Sequence, residues 1–415
     1  MALIVLLLLS TLSLALLSMS AVEPMISRNL ADGEQARFTA EAGVEWAFDT
    51  LRSTLDWNTF LAGGDPSRGA VLSADSPIPG DTAGRGTFTV TVRNDSMPGD
   101  ALLTGMAVDA GGPTRDTNGQ LIVTSVGSVR AARRAVQAVV RRIALPPVPA
   151  ALAFPGEEAP VTVTGGFEID GNDRTPDGLG GACAPVFGIS VSSTLPLSRP
   201  GANEEAVERA LGDRASSSVR GKAQDPSTPG TGANAIAPDG ALTPAHLRSF
   251  VRAAGQAGVN LALGEPGGFS VSDVGAACAS SWSSAACWGT GARPKVVYAK
   301  GSADAGAAVS RLEISGNMEA HGILIVEDAE VRITGNFRWH GLIVLTGGRV
   351  ALEFAGGGDQ TVYGAVLFDA TPAGTGSGAR FLTGAAKVRY SCEGLDEARR
   401  ARKLMTLRSW REVAQ

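Results

Sequence analysis

The sequence has few of the residues on which most enzymes and metal proteins depend. Only 3 of its 415 residues are histidine, aromatic residues make up 5%, and no C-x-x-C pair is present. Metal centres and acid–base catalysis draw heavily on histidine and on closely spaced cysteines. The sequence also contains no Ser/His/Asp grouping and no phosphate-binding loop. We therefore expect the protein not to be an enzyme, and we select no catalytic, cofactor-binding or metal-ligating residue.

An excess of basic residues is lacking as well. The chain carries 36 Lys and Arg against 41 Asp and Glu, which gives a net charge of −5. Because neutralisation of phosphates requires a basic surface, nucleic acid is not expected as a partner. Glycine, in contrast, is abundant, with 53 residues and no collagen period. This abundance indicates the many tight turns of a β-rich architecture.

Charge is missing altogether from the start of the chain. The first charged residue is Glu23, which Pro24 follows at once. As a helix, residues 2–22 would span about 30 Å, which is enough to cross the hydrocarbon core of a bilayer. A secretory signal peptide would begin with basic residues and have a shorter apolar run, so we predict a retained membrane span. The residues selected for assembly and membrane contact are Leu3, Val5, Leu8, Leu12, Leu16 and Pro24.

Helical spacing continues beyond this apolar run. Apolar residues recur on one face, whereas Glu34, Arg37 and Glu41 lie mostly off it, as in an amphipathic helix. We therefore predict one helix over residues 1–56, with a kink or local melting at Pro24 because proline removes an internal hydrogen bond. The residues selected for its packing face are Val44, Phe48, Leu51 and Leu55.

Residues 57–144 are predicted to form a small β domain. Residues 61–84 are rich in Gly, Pro and Asp and are interpreted as a loop. Residues 86–95, 119–129 and 133–142 have the patterns of strands. These three strands would make an antiparallel sheet on which the second half of the helix packs.

Aspartates are concentrated between the first two of these strands. Residues 116–119, DTNG, are close in sequence to Asp95, Asp100 and Asp109, and the oxygens of Asp and Asn suit calcium. The stretch has no complete calcium-loop motif, so a hairpin turn is the favoured interpretation.

A short repeat characterises the remainder of the chain, beyond a stiff linker at residues 145–151, LPPVPAA. Residues 312–329 and 331–348 match each other, with Gly-Asn and His-Gly pairs that recur nineteen residues apart. A degenerate third copy follows at 350–368. Short repeats with small turn residues and apolar runs are typical of a β-solenoid, which we predict over residues 152–415.

Two parts of this region depart from the repeat. Residues 190–270 are poor in strand signal and are interpreted as an insertion with two short helices, one after Asn203 and one with Thr243 as N-cap and Pro244 at its first position. Residues 388–415 are predicted to cap the last coil. The fold class is therefore α+β: a long N-terminal transmembrane and amphipathic helix packed on a small antiparallel sheet, followed by a right-handed β-helix-like solenoid domain with a helical excursion.

Four cysteines occur in the sequence, and in an exported chain they are expected to form disulfides. Cys278 and Cys287 are nine positions apart among small, polar residues, so we predict a local pair. A pair between Cys183 and Cys392 would follow only by elimination and is left open.

Two of the three histidines, His321 and His340, occupy equivalent positions of the repeat, as do Asn317 and Asn336. Stacked coils would place each pair in a ladder, and such ladders chiefly satisfy backbone groups. A structural role is therefore favoured over an active site or ligand site.

The N-terminal stretch MALIVLLLLS…EPMISRNLADGEQARFTAEAGVEWA resembles the PilX-type minor pilins. The segments IDGND and WGTGARPKVVYAKG, the repeat, and the C-terminal YSCEGLDEARRARKLMTLRSW resemble the members of that family with a β-helical C-terminal half. The resemblance implies a minor pilin that helps to initiate or cap a type IV pilus. Its implied partners are the inner membrane, other minor pilins and the pilus assembly machinery, with a tip adhesin as a further candidate. The implied location is a single pass through the inner membrane with the bulk in the periplasm, then the pilus tip or cell surface.

The resemblance has departures and rivals. Proteins of this family begin with a short basic leader that prepilin peptidase removes. We therefore expect that this sequence is the mature form, or that its start codon was assigned downstream of the true one. Major pilins have a Glu where this chain has Val5, which suits a tip subunit better than a repeating one. The alternatives are a type II secretion tip pseudopilin of the K type and a membrane-anchored β-helix protein that binds or cleaves polysaccharide.

Overall fold

A computed structural model gives the architecture of the chain. The structure describes residues 2–81, 84, 86–156, 159–192, 202–222, 235–257, 261–263, 269–302, 310–370, 378–381 and 386–413, and in these ranges the side chains of 2, 14–22, 257, 261–263, 370, 378, 380 and 381 are left out. The chain divides into two compact units, which are Met1–Arg142 together with Thr406–Gln415, and Ile143–Met405.

The first unit is a helix on a sheet. Its elements are α1 (Ala2–Ser53), α2 (Asn58–Leu61), β1 (Ala70–Pro77), β2 (Thr87–Asn94), α3 (Asp100–Thr104), β3 (Gln120–Val129) and β4 (Ala132–Arg142). Strands β1 to β4 are antiparallel neighbours in chain order. The second half of α1 packs on this sheet, with Ala40, Val44, Ala47 and Leu51 almost fully buried.

The C-terminal end of α1 has a clear physical cause. The guanidinium group of Arg142 donates hydrogen bonds to the carbonyl oxygens of Leu51, Thr54 and Leu55 over 2.6–2.7 Å, and the indole of Trp57 also donates to the Leu51 carbonyl. The bonds to Leu51 satisfy a carbonyl that the end of a helix leaves without a partner, and the bonds to Thr54 and Leu55 hold the turn that follows the helix.

Two expectations for α1 concern Pro24 and Leu55. The helix runs through Pro24 without interruption, so the local melting expected there is absent, and the alternative expectation of a kink stays a prediction; proline removes only one hydrogen bond, and the turns on either side continue. Leu55, which was assigned to the packing face, lies beyond the end of the helix and is exposed. Val44, Phe48 and Leu51 are buried on that face.

Strand β1 lies inside residues 61–84, whose composition predicts a loop. It pairs with β2, but the register shifts twice, between Val71 and Ser73 and between Ser73 and Ser76. Asp75 has a positive φ of 45°. These irregularities break the period of two on which strand recognition depends.

The second unit is built mainly from parallel strands. Its first elements are β5 (Ala150–Phe154), β6 (Val161–Val163), β7 (Phe167–Asp170), β8 (Phe187–Ser192), α4 (Ala202–Leu211), α5 (Arg214–Ser218), β9 (Val219–Arg220), β10 (Ile236–Asp239), α6 (Pro244–Ala257), β11 (Leu261–Leu263) and β12 (Phe269–Ser272). The next are β13 (Gly289–Thr290), β14 (Arg293–Lys300), β15 (Arg311–Ser315), β16 (Asn317–Glu327), β17 (Glu330–Ile333), β18 (Asn336–Gly347), β19 (Ala351–Phe354), β20 (Gln360–Ala370), β21 (Gly378–Phe381), β22 (Ala386–Tyr390) and α7 (Cys392–Arg399). Short 3-10 turns lie at Ala276–Cys278 and Arg402–Leu404.

From β14 onward the chain alternates between two sheets. The larger sheet has the order β10-β8-β5-β20-β18-β16-β14-β11, and the smaller has the order β12-β15-β17-β19-β21-β6. Strands β16 and β18 pair in parallel with a constant offset of nineteen residues, which is the period of the sequence repeat. Each pass through both sheets therefore places equivalent residues side by side.

The central strands of the larger sheet are buried on both faces. Leu324 and Ile343 belong to the apolar cluster that the two sheets share. Ile323 and Leu342 belong to a second cluster, to which α6 contributes residues such as Phe250. A strand covered on both sides needs an unbroken apolar sequence, and this explains the runs GILIV and GLIVL.

Glycines let successive strands of this sheet approach closely. Gly322, Gly341 and Gly364 are in register on β16, β18 and β20, with φ values of 128°, 130° and 146°. A Cβ atom on Gly341 would contact the carbonyl oxygen of Gly322, and one on Gly364 would contact that of Gly341. The glycine of each His-Gly pair is thus required by the backbone.

The predicted helices at residues 190–270 are present as α4 and α6, and the hydroxyl of Thr243 accepts a hydrogen bond from the His246 amide at the start of α6. The C-terminal assignment needs correction. Residues 388–415 do not act together as a cap, because β23 (Met405–Val413) leaves the second unit and lies beside β4. A free sheet edge accepts any suitable strand, so its partner is not encoded locally.

A substitution at Gly127 tests the packing of α1 on β3. A Cβ atom there would contact the backbone of the helix at Ala36 and Ala40, which cannot yield as a side chain can. We expect Gly127→Ala to destabilise this packing by about 1–3 kcal/mol, measured as faster hydrogen exchange in peptides of β3 and β4.

Gly63→Ala is the matched control, since nothing lies within 4 Å of a Cβ atom at that position. Equal exchange rates in the two variants would contradict the close approach of helix and strand.

Candidate functional site

The first candidate surface is the N-terminal part of α1. Residues 3–9 and Leu12 are all large and apolar, and their side chains are 54–80% exposed. The exposed residues surround the helix rather than forming one stripe, so no single core could bury them. A helix that is apolar on all sides requires an apolar environment or partner.

This surface contains most of the residues selected for assembly. Leu3, Val5, Leu8 and Leu12 lie on it, the side chain of Leu16 is outside the described residues, and Pro24 is exposed further along the helix. No helix in the described part of the chain is long and apolar enough to cross a membrane.

The second candidate is a column of side chains across the larger sheet of the second unit. The parallel register places His321, His340, Tyr363, Arg389 and Asp170 next to one another in that order. The two imidazole rings stack with centroids 4.3 Å apart, and the phenol ring of Tyr363 continues the stack 5.4 Å beyond. The predicted histidine ladder is therefore present.

The two histidines have different surroundings. His321 is partly buried, and its Nδ1 lies 2.7 Å from a carboxylate oxygen of Glu397 on α7. His340 is only 2% exposed, and neither of its ring nitrogens has a hydrogen-bond partner among the described residues. Its Nε2 lies 3.7 Å from a carboxylate oxygen of Glu319, which is too long for a hydrogen bond.

Burial controls the charge of the second ring. Loss of hydration, reinforced by the neighbouring His321, lowers the pKa of His340 to about 4. The ring is therefore neutral at neutral pH. A ladder of side chains that only satisfies backbone groups does not require a buried, neutral imidazole. The structural interpretation of the histidines therefore explains their stacking, but it does not explain why the ring nitrogens of His340 have no hydrogen-bond partner among the described residues.

A cavity of about 650 Å³ opens beside this column. Its polar lining combines acidic, basic and amide groups, among them Asn317, Glu319, His321, Asn336, Arg338 and Asp359. The repeat positions of the asparagines and histidines pointed to this region of the sheet. Glu397 had no sequence signal, because it reaches the column from a helix that follows the repeat.

The acidic residues of the first unit are held by protein groups. Asp100 forms a bidentate ion pair with Arg93, and both oxygens of Asp95 accept from the Asn118 amide at 3.1 Å. Burial raises the pKa of the carboxyls of Asp95 and Asp116. Since α3 lies between β2 and β3, this connection is a long loop and not the expected hairpin turn.

Both pairs of cysteines are bonded. Cys278 is joined to Cys287, and Cys183 is joined to Cys392 across a sequence separation of 209 residues. The second bond links the start of α7 to the loop after β7, and the Asp173 carboxylate accepts a hydrogen bond from the Cys392 amide at the same place. The helix that carries Glu397, α7, is thus fixed to this loop by a disulfide.

Comparisons with known proteins find a weakly similar solved structure and no matching family. No family model matches the chain, and no curated protein matches it. Among solved structures, the chain is similar to the competence-associated pilin ComZ from Thermus thermophilus, with 13% identity and a TM-score of 0.24 over 92% of this chain and 98% of that chain. At such an identity and TM-score, the likeness carries no argument about the function of this protein.

The buried ring of His340 predicts a pH dependence of stability. Its pKa of about 4 in the folded protein is below the value of about 6.5 in an unfolded chain, so the unfolded state binds the proton more readily. Stability is therefore complete above pH 6.5 and is lost as the pH falls towards 4. The groups that face the ring are His321, Glu319, Glu397, Arg338 and Tyr363.

We expect about 2 kcal/mol of unfolding free energy to be lost through this ring between pH 7 and pH 5. His340→Phe keeps an aromatic ring in the stack but cannot bind the proton, so urea denaturation should show a correspondingly smaller loss in this variant. His246→Asn, at an exposed position of α6, is the control and should behave as the wild type. An unchanged pH dependence in His340→Phe would show that protonation of the His340 ring does not cause the loss of stability.

Proposed function

We propose that the protein is a minor pilin of the PilX type that helps to initiate or cap a type IV pilus. The observation that carries the proposal is the division of one continuous helix, α1, into two parts. Its second half is buried on an antiparallel sheet, whereas its first part exposes large apolar side chains on every side. A helix of this kind is suited to enter a bundle of similar helices while its own folded domain remains outside.

The assembly step would exchange one apolar environment for another. We infer that residues 2–22 lie in the inner membrane before assembly, with the bulk of the chain in the periplasm. Transfer of the helix from lipid into a bundle then leaves its side chains covered throughout, so the desolvation cost is small. The partners would be other minor pilins and the assembly machinery, and a tip adhesin is a further candidate.

The residue at position 5 supports a place at the tip. A carboxylate buried among apolar helices is costly unless a partner neutralises it. Val5 lies among leucines on α1 and needs no such partner. A subunit that begins or ends the filament lacks a neighbour on one side and is therefore well served by an apolar residue here.

The second unit would be the part displayed outside the filament. We interpret its two parallel sheets, between which the chain alternates, as the flanks of a right-handed β-solenoid. The nineteen-residue offset between β16 and β18 and the shared apolar cluster between the sheets support this interpretation. Its bulk would suit a tip position better than the shaft.

Replacement of residues 2–22 by an unrelated apolar membrane span distinguishes a pilin from a simple anchor. In the native organism, a strain that produces only this chimera should have few or no surface pili, although the protein remains in the membrane fraction. Normal piliation would show that the segment only anchors the protein. Loss of secreted enzymes with pili intact would instead assign it to a type II secretion system.

A point substitution sharpens the same test. Leu8→Arg places a charge on the exposed apolar surface of α1 and should reduce the number of pili at least tenfold, counted by electron microscopy. Leu102→Arg is the matched control, because Leu102 is a highly exposed apolar residue on α3. Equal piliation with both variants would contradict a role for the helix surface.

A further inference from the structure

We propose that Glu319, His321 and His340 form a binding site for one divalent transition-metal ion of the zinc class. The site lies entirely in the second unit, on β16 and β18. The inference is independent of the proposed role in a pilus, since it rests on these side chains alone.

The three groups are spaced as ligands of a single ion. One ligand atom from each lies within 4.8 Å of those of the other two. The separation of 3.7 Å between the Glu319 oxygen and Nε2 of His340 exceeds a hydrogen bond. It is close to the separation of about 3.3 Å expected for two ligands that are each about 2.0 Å from a tetrahedral ion.

The bare nitrogens of His340 are the second observation that points to a ligand. An imidazole must donate from one nitrogen and accept at the other, and burial of both without partners costs free energy. The rings above and below, those of His321 and Tyr363, offer only their faces to His340. An ion bound between Nε2 and Glu319 would give the buried nitrogen the partner that it lacks.

Glu397 acts as an orienting group for the other histidine. Its carboxylate lies 2.7 Å from Nδ1 of His321, so Nδ1 carries the proton and Nε2 presents its lone pair. The same arrangement of carboxylate, imidazole and ion recurs in zinc proteins, where it holds the ring in position and increases its basicity.

The stacking of the two rings restricts how both of them can coordinate one ion. The ring planes are 11° apart, and nitrogen lone pairs lie in the plane of the ring, so both rings bind one ion only if one of them tilts. His321 is the ring that can tilt, because it is partly exposed and lines the cavity. His340 is held between two rings. Water from the cavity would complete the coordination, as in zinc sites with three protein ligands.

The donor set selects the class of metal. Two imidazoles and one carboxylate suit zinc, cobalt and related ions, whereas calcium and magnesium take oxygen ligands almost exclusively. Calcium should therefore not compete for the site.

Cobalt binding tests the proposal directly. The full-length protein, with its disulfides intact, no histidine tag and all metal removed by a chelator, is titrated with Co²⁺ while visible absorption is recorded. We expect d–d absorption bands that saturate at one equivalent and disappear on addition of Zn²⁺ but not of Ca²⁺. Absence of the bands, together with no binding of Zn²⁺ by equilibrium dialysis, would overturn the proposal.

Three variants locate the binding. Glu319→Gln removes a ligand whose side chain is 60% exposed, so the fold should be retained and the stoichiometric binding lost. Glu397→Gln should weaken binding about 10–100-fold, as expected for an orienting carboxylate. His246→Asn removes the third histidine, which is exposed on α6, and should bind as the wild type does. Equal binding by Glu319→Gln and the wild type would refute the site.

Discussion

The in-register contact of backbones at Gly322, Gly341 and Gly364 constrains most of the second unit. Parallel strands at this separation must present equivalent residues to one another, because a shift by one position would turn every side chain to the opposite face. The apolar positions then form continuous layers, and the polar positions form columns. The histidine stack, the amides beside it and the charged lining of the cavity all follow from this one register.

The first unit is governed by a different constraint, the area of sheet that is available to cover its helix. Its long helix has more apolar surface than the small sheet can cover, so burial stops where the sheet ends. The buried half is held by close packing on β3 and by the hydrogen bonds that Arg142 makes at its end. Residues 3–9 and Leu12 of its first part are exposed in the described structure. A helix with such a surface requires an apolar environment or partner, and this requirement connects the local packing to the proposed function in assembly.

Local patterns predicted the parts of the fold that depend on neighbouring residues. The alternation of residues 86–95 corresponds to β2, where every second side chain is buried, and the nineteen-residue repeat corresponds to the pairing of β16 with β18. One irregular feature was missed, since the bulged strand β1 has no regular period, and the local melting expected at Pro24 is absent. At the candidate metal site, the repeat indicated that the histidines stack, but it did not indicate that His340 is without partners.

The sequence by itself determined the long helix, its charge-free beginning, the three regular strands beside it and the register of the repeated strands β16 and β18, because each follows from a pattern that a short segment carries. Only the tertiary structure decided that β5 lies beside β20, that β23 returns to the first sheet, that Cys183 joins Cys392, and that Glu397 reaches His321. These contacts join segments distant in the chain. Other strand edges and other carboxylates were equally suitable partners for these segments. Which partner is used therefore depends on the packing of the whole unit and not on any local pattern.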